Sequence, residues 1–109
     1  MIKKVIYLPE AHEFLQNTEA DAREKIIYNI RKVKLGINDA SIFKKLKGTD
    51  IWEFRTIHAG KCYRMLAFWD TRTDTLIVAT HGFVKKTQKT PAKEITKAEM
   101  LQKDYFKNN

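Results

Sequence analysis

The sequence is poor in acids where its lysines crowd together. No acidic residue lies between Asp74 and Glu94, and Lys85, Lys86 and Lys89 fall in that interval. Cysteine occurs once, at Cys62; a lone thiol excludes an intramolecular disulfide and fits a reducing compartment. With four glycines in the chain, no glycine-rich phosphate loop can be drawn, which argues against nucleotide-driven chemistry. The one Cys and three His are scattered without metal-ligand spacing. No Ser-His-Asp pattern is visible, so neither a metal nor a cofactor is expected. No apolar run approaches a membrane span, and the apolar part of "MIKKVIYLPE" is too short for a signal peptide. These absences predict a soluble, cytoplasmic protein without a membrane partner.

What is present is a globular composition. The chain has 109 residues, 43% of them hydrophobic, which predicts one domain over 1–109 with a core that needs no disulfide or metal. Lys and Arg number 21 against 13 acids, for a net charge of +8. That excess costs self-repulsion, which an anionic partner relieves. Nucleic acid is the first candidate and an acidic protein the second.

The pattern reads β-α-α-β-β-β-α. "KKVIYL" (Lys3 to Leu8) is a short β-rich run, and Pro9 opens a helix with Ala11, Phe14 and Leu15 on one face. Thr18 and Asp21 have capping-box spacing for a second helix, with Ala22, Ile26, Ile30 and Val33 as its apolar stripe and Gly36 as its stop. The stretch from Ile37 to Asp50 reads as irregular. Three strands follow, Ile51 to His58, Cys62 to Trp69 and Leu76 to Val84. The last is apolar on both sides, as central strands are. Thr90 is the expected N-cap of a final helix with Ile95, Ala98, Leu101 and Tyr105 inward. The fold class is α+β, an antiparallel sheet packed against two N-terminal helices and one C-terminal helix.

The basic residues gather on this meander. Arg55 lies in its first strand, Arg64 in its second, and Lys85 and Lys86 end its third, while Lys44, Lys45 and Lys47 precede it. Alternation turns Arg55 away from Phe54 and puts Arg64 on a face with Cys62, Leu66 and Phe68. An arginine on an apolar face needs a partner. Two readings stand: an ion pair with Glu53, Asp70 or an acid of the second helix, or a phosphate held by the planar guanidinium fork. Lysines at a strand end are likewise either solvated termini or the rim of an anion site. His58, beside the Gly60 turn, is a candidate base; His12 reads as a surface or packing residue and His81, in a strand, as a structural one.

"FKKLKGTDIWEFRTIHAGKCYRMLAFW" followed by "HGFVKKTQKTPAKEITKA" resembles the HigB-type, phage-derived branch of the RelE/ParE toxin superfamily. The marks are Leu-Lys-Gly before a Trp-Glu-x-Arg strand, Tyr-Arg in the next strand, and Phe-x-Lys-Lys-Thr-x-Lys-Thr-Pro before the last helix. The resemblance covers the whole order of elements. It implies the toxin of a type II toxin–antitoxin pair, an endoribonuclease that cuts mRNA on the ribosome without a metal. The ribose 2′-hydroxyl attacks the adjacent phosphate, leaving a 2′,3′-cyclic phosphate and a 5′-hydroxyl. It also implies a cognate, HigA-like helix-turn-helix antitoxin, a monomeric free toxin and a higher-order complex with that antitoxin.

On this resemblance Arg55 and Arg64 are assigned to the phosphate. Lys85 and Lys86 are assigned to transition-state charge and proton transfer. Lys44, Lys45, Lys47, Lys89 and His58 are assigned to RNA, and Tyr63 either stacks on a base or packs in its strand. The C-terminal Tyr or His that some members use for proton transfer has no match in "KTPAKEITKAE". That departure leaves two alternatives: a gyrase-inhibiting toxin of the ParE type, and a non-enzymatic RNA-binding module.

Overall fold

The computed structural model describes residues 4–72, 76–85 and 89–108. The order is β1 (Lys4–Tyr7), α1 (Pro9–Asn17), α2 (Ala20–Lys34), β2 (Phe43–Lys45), β3 (Trp52–His58), β4 (Lys61–Asp70), β5 (Leu76–Lys85) and α3 (Ala92–Asn108). The sheet runs β1-β5-β4-β3-β2. Its pairs are antiparallel except β1 with β5, which is parallel. The fold is α+β as expected, with two additions. β1 makes the sheet mixed, and the stretch read as irregular contributes β2 as an edge strand.

Strand alternation separates two cores. Phe54, Tyr63, Met65, Ala67, Ile77 and Ala79 face Ala11, Leu15, Ala22, Ile26, Ile30 and Val33 of α1 and α2. On the other face Ile51, Leu66, Phe68 and Val78 pack under Ala98 of α3, with Ile95 and Tyr105 alongside. β5 feeds both cores, which explains why its sequence is apolar on both sides. It lies between β1 and β4.

Thr18 and Thr90 do not act as the expected caps. The Thr18 hydroxyl donates to the Phe14 carbonyl at 2.7 Å, closing α1, and α2 starts from Glu19 with no side-chain cap. Arg23 covers the Leu15 and Thr18 carbonyls at 3.3 and 3.2 Å. At α3 the first helical hydrogen bonds run from the Glu94 and Ile95 amides to the Pro91 carbonyl, one residue past Thr90. This leaves the Thr90 hydroxyl free of capping and available to the sheet.

α3 is pinned at both ends. At its far end the Tyr105 hydroxyl donates to Asp70 at 2.8 Å, and Arg72 bonds the same carboxylate at 3.0 and 2.8 Å. Those donors hold the Asp70 carboxyl well below the usual carboxylate range. At its near end Glu94 meets His81. Among the described residues no helix is long and apolar enough to cross a membrane.

Candidate nucleic-acid interface

The register brings the basic residues together from strands far apart in sequence. Arg55 pairs with Arg64 across β3 and β4, and Cys62 pairs with Lys85 across β4 and β5. Lys44 pairs with Glu53 across β2 and β3. Direct cross-strand partners share a face. One face therefore carries Lys44, Glu53, Arg55, Arg64 and Lys85, on the same side as α3 but outside the core that α3 covers.

Two arginines directly opposite one another repel, and Glu53 is the group that offsets this. Its carboxylate is 3.6 Å from Arg55 Nε and 4.0 Å from Arg64 Nε. Side-chain exposure grades across the group: 1% for Glu53, 0% for Arg64 and 20% for Arg55. Arg64 is enclosed. Its Nη1 donates to the Thr90 hydroxyl at 3.3 Å and its Nε approaches Cys62 Sγ at 3.5 Å. The Thr90 hydroxyl in turn donates to Glu53. This network ties the segment before α3 to the sheet and satisfies a buried charge that would otherwise be costly.

Arg55 is the outward member. The Arg55–Glu53 separation is too long for a hydrogen bond. Among the described residues, Arg55 Nε is the one buried side-chain polar atom without a hydrogen-bond partner. One carboxylate thus stands against two guanidinium groups, with Lys44 and Lys85 on the same face. The cluster carries excess positive charge and an under-satisfied donor, as an anion site does.

The other expected residues fall as follows. Arg64, expected at the phosphate, lies beneath Thr90 and Glu53 rather than at the surface. Lys89 is exposed, just before Thr90. Lys45 is exposed but pairs with Trp52, on the opposite face from Lys44, and Lys47 is exposed in the turn that follows β2. His58 lines a cleft with Asp21, Lys25, Tyr28 and Arg31, away from Arg55. Tyr63 is 6% exposed in the core under α1 and α2; its burial matches the packing reading and removes its ring from the basic face. Lys86 lies outside the described residues.

Two participants went unassigned in the sequence reading. Thr90 was taken as a cap. His81 was taken as a structural residue, and it is a link: Nε2 is 3.1 Å from Glu94 Oε1 and Nδ1 is 3.0 Å from the Thr80 hydroxyl. Burial pushes the His81 pKa below its ordinary value, against the opposing pull of Glu94. Among the described residues no three His, Cys, Asp or Glu side chains gather as a metal site would require.

A family model described as "Phage derived protein Gp49-like (DUF891)" matches residues 13–103. The chain belongs to the Gp49-like family. It thereby falls in the phage-derived branch of the RelE superfamily. Among solved structures, the Gp49-like chain is similar to a double mutant of Escherichia coli toxin RelE in the free state. The TM-score is 0.68 at 15% identity, over 92% of this chain and 97% of that one. That similarity is one of fold. No curated protein matches the sequence.

Proposed function

We propose that this Gp49-like protein is the toxin of a type II toxin–antitoxin pair and that it acts as a ribosome-dependent mRNA endoribonuclease. The observation that carries this reading is the Arg55–Arg64 pair sharing one buried carboxylate on a face with Lys44 and Lys85. Family membership supports it. The partners are then the ribosome, its mRNA and a HigA-like antitoxin, and the setting is the cytoplasm.

The chemistry needs three things: removal of the 2′-hydroxyl proton, relief of charge at the pentacoordinate phosphorus, and a proton for the departing 5′-oxygen. The 2′-oxygen–phosphorus bond forms as the phosphorus–5′-oxygen bond breaks. Arg55 offers its outward N–H groups to the phosphate oxygens. Lys85 is the group assigned to developing charge and proton transfer, with Lys86 beside it in sequence. Lys44, Lys47 and Lys89 hold flanking phosphates. Arg64 is a positioning residue: it fixes Glu53 and Thr90 and so the direction in which Arg55 points. No metal is assigned a part in this scheme.

The test is to induce the protein without its antitoxin and map new 5′ ends in cellular mRNA. Cuts within translated regions are expected. Arg55→Ala should reduce them about 100-fold, the scale for losing one transition-state donor. Growth arrest with intact mRNA would instead favour a gyrase-inhibiting toxin.

A further inference from the structure

A second cleft lies at the end of the sheet that bears β2. It measures about 280 Å³ and is lined by Lys45, Asp50, Trp52, Trp69 and Gln102. Its aromatic part is built from the sheet. Trp52 stacks on Phe43 at 4.9 Å and meets Trp69 edge to face at 5.9 Å. Two tryptophans closing the end of a core are ordinary in themselves. This pair is only partly buried, and it opens beside three polar side chains of different kinds: a cation, a carboxylate and an amide.

From this cleft we infer a nucleobase pocket that takes one unstacked guanine from a bound RNA strand. The inference rests on the reading of the Arg55 face as an RNA-phosphate site. Indole rings stack on a base whatever its identity. The Asp50 carboxylate accepts from adjacent N–H donors, and guanine is the base that presents two, N1–H and N2–H, on its Watson–Crick edge. Gln102 supplies an amide donor for O6. Lys45 at the rim meets the phosphate of the same nucleotide. The volume lies at the small end of ligand pockets, fitting one base and not a folded oligonucleotide.

The two sites are joined by β2, which is the sheet edge. Its lysines divide between the faces: Lys44 lies beside Glu53 on the Arg55 side, and Lys45 beside Trp52 on the tryptophan side. Arg55 donates its backbone amide to Ile42, at the start of that edge, at 2.8 Å. A strand whose phosphates cross Arg55 and Lys44 turns at this edge and delivers the next base to the indoles.

Both tryptophans of the chain line the cleft, so fluorescence excited where tryptophan absorbs and tyrosine does not reports it. The probes are end-labelled 2′-O-methyl oligonucleotides, UUGUU and UUUUU, in which the attacking hydroxyl is blocked. Label anisotropy measures binding anywhere on the protein, and tryptophan quenching measures occupancy of the cleft. The expected result is saturable quenching by UUGUU with at least fivefold tighter binding than UUUUU. Asp50→Asn should erase that preference, and Lys45→Ala should weaken quenching at least threefold. Arg55→Ala should weaken binding of both oligonucleotides alike and leave the guanine preference. A rise in anisotropy without quenching overturns the pocket and leaves the phosphate site standing. Quenching indifferent to guanine and to Asp50→Asn overturns the assigned base. Absence of both signals overturns the pocket, and cleavage on the ribosome, measured separately, decides the phosphate site.

Discussion

Arg55 and Arg64 are direct partners across β3 and β4, and one Glu53 carboxylate lies 3.6 Å from the first and 4.0 Å from the second. The arrangement is asymmetric. Arg64 is sealed under Thr90, whereas Arg55 keeps an exposed side and an unsatisfied Nε. The buried Glu53–Arg64 pair stabilises only while both of its members remain.

Glu53→Gln should therefore be severe. It leaves Arg64 buried without its counter-charge and removes what screens the two arginines from each other, at a cost of about 3–5 kcal/mol. Chemical denaturation should show a lower midpoint with an unchanged slope. The paired change Glu53→Leu with Arg64→Met should recover much of that loss, because a well-packed apolar replacement removes both charges together. If Glu53→Gln is neutral, the carboxylate is not the partner of these arginines.

His81 makes stability depend on pH in a defined window. Burial lowers its folded pKa below the ordinary value of 6.5. The unfolded chain therefore binds more protons as pH falls past that value, and stability falls with it. The contribution is complete above about pH 6.5 and is lost on acidification through the folded pKa. Asp70, held far lower by Arg72 and Tyr105, loses its contribution only in much stronger acid. Thermal unfolding at pH 7.5 and 5.5 should show a drop for the native protein and a smaller one for His81→Gln. Equal drops would remove His81 as the cause.

Gly82 is fixed by contact and not by turn geometry. A Cβ built there would sit 2.2 Å from Phe14 Cδ2. Gly82→Ala must turn the Phe14 ring aside or push α1 off β5, and overpacking of this kind costs about 1–3 kcal/mol. The double variant Gly82→Ala with Phe14→Leu should be less damaged than the two single losses summed. Additive losses would show that the two sites do not share one contact.

Much of this was legible in the sequence for a specific reason. Alternation in β3 and β4 placed Arg55 away from Phe54 and Arg64 with Leu66 and Phe68, and the register confirms both. Glu53 was among the acids considered for Arg64, with Asp70 and the acids of the second helix, and the fold selects it. β2 was not legible because three residues with a Phe-Lys-Lys pattern show no period. The parallel pairing of β1 with β5 depends on long-range partners that local pattern does not record. Thr18 and Thr90 have the composition of caps, but the Thr18 hydroxyl goes to the Phe14 carbonyl one turn back and the Thr90 hydroxyl to Glu53 in the sheet. Tyr63 and His58 lie near the arginines in sequence and on the other side of the sheet in space.

The most direct test of the phosphate-site reading uses purified components. The protein is added to ribosomes stalled on a defined mRNA, and products are resolved for native protein, Arg55→Ala and a ribosome-free control. The account predicts cleavage on the ribosome alone, products ending in a 2′,3′-cyclic phosphate and a 5′-hydroxyl, and a loss of about 100-fold in rate for Arg55→Ala with its unfolding midpoint unchanged. Intact mRNA with native protein, or full cleavage by a folded Arg55→Ala variant, would contradict it.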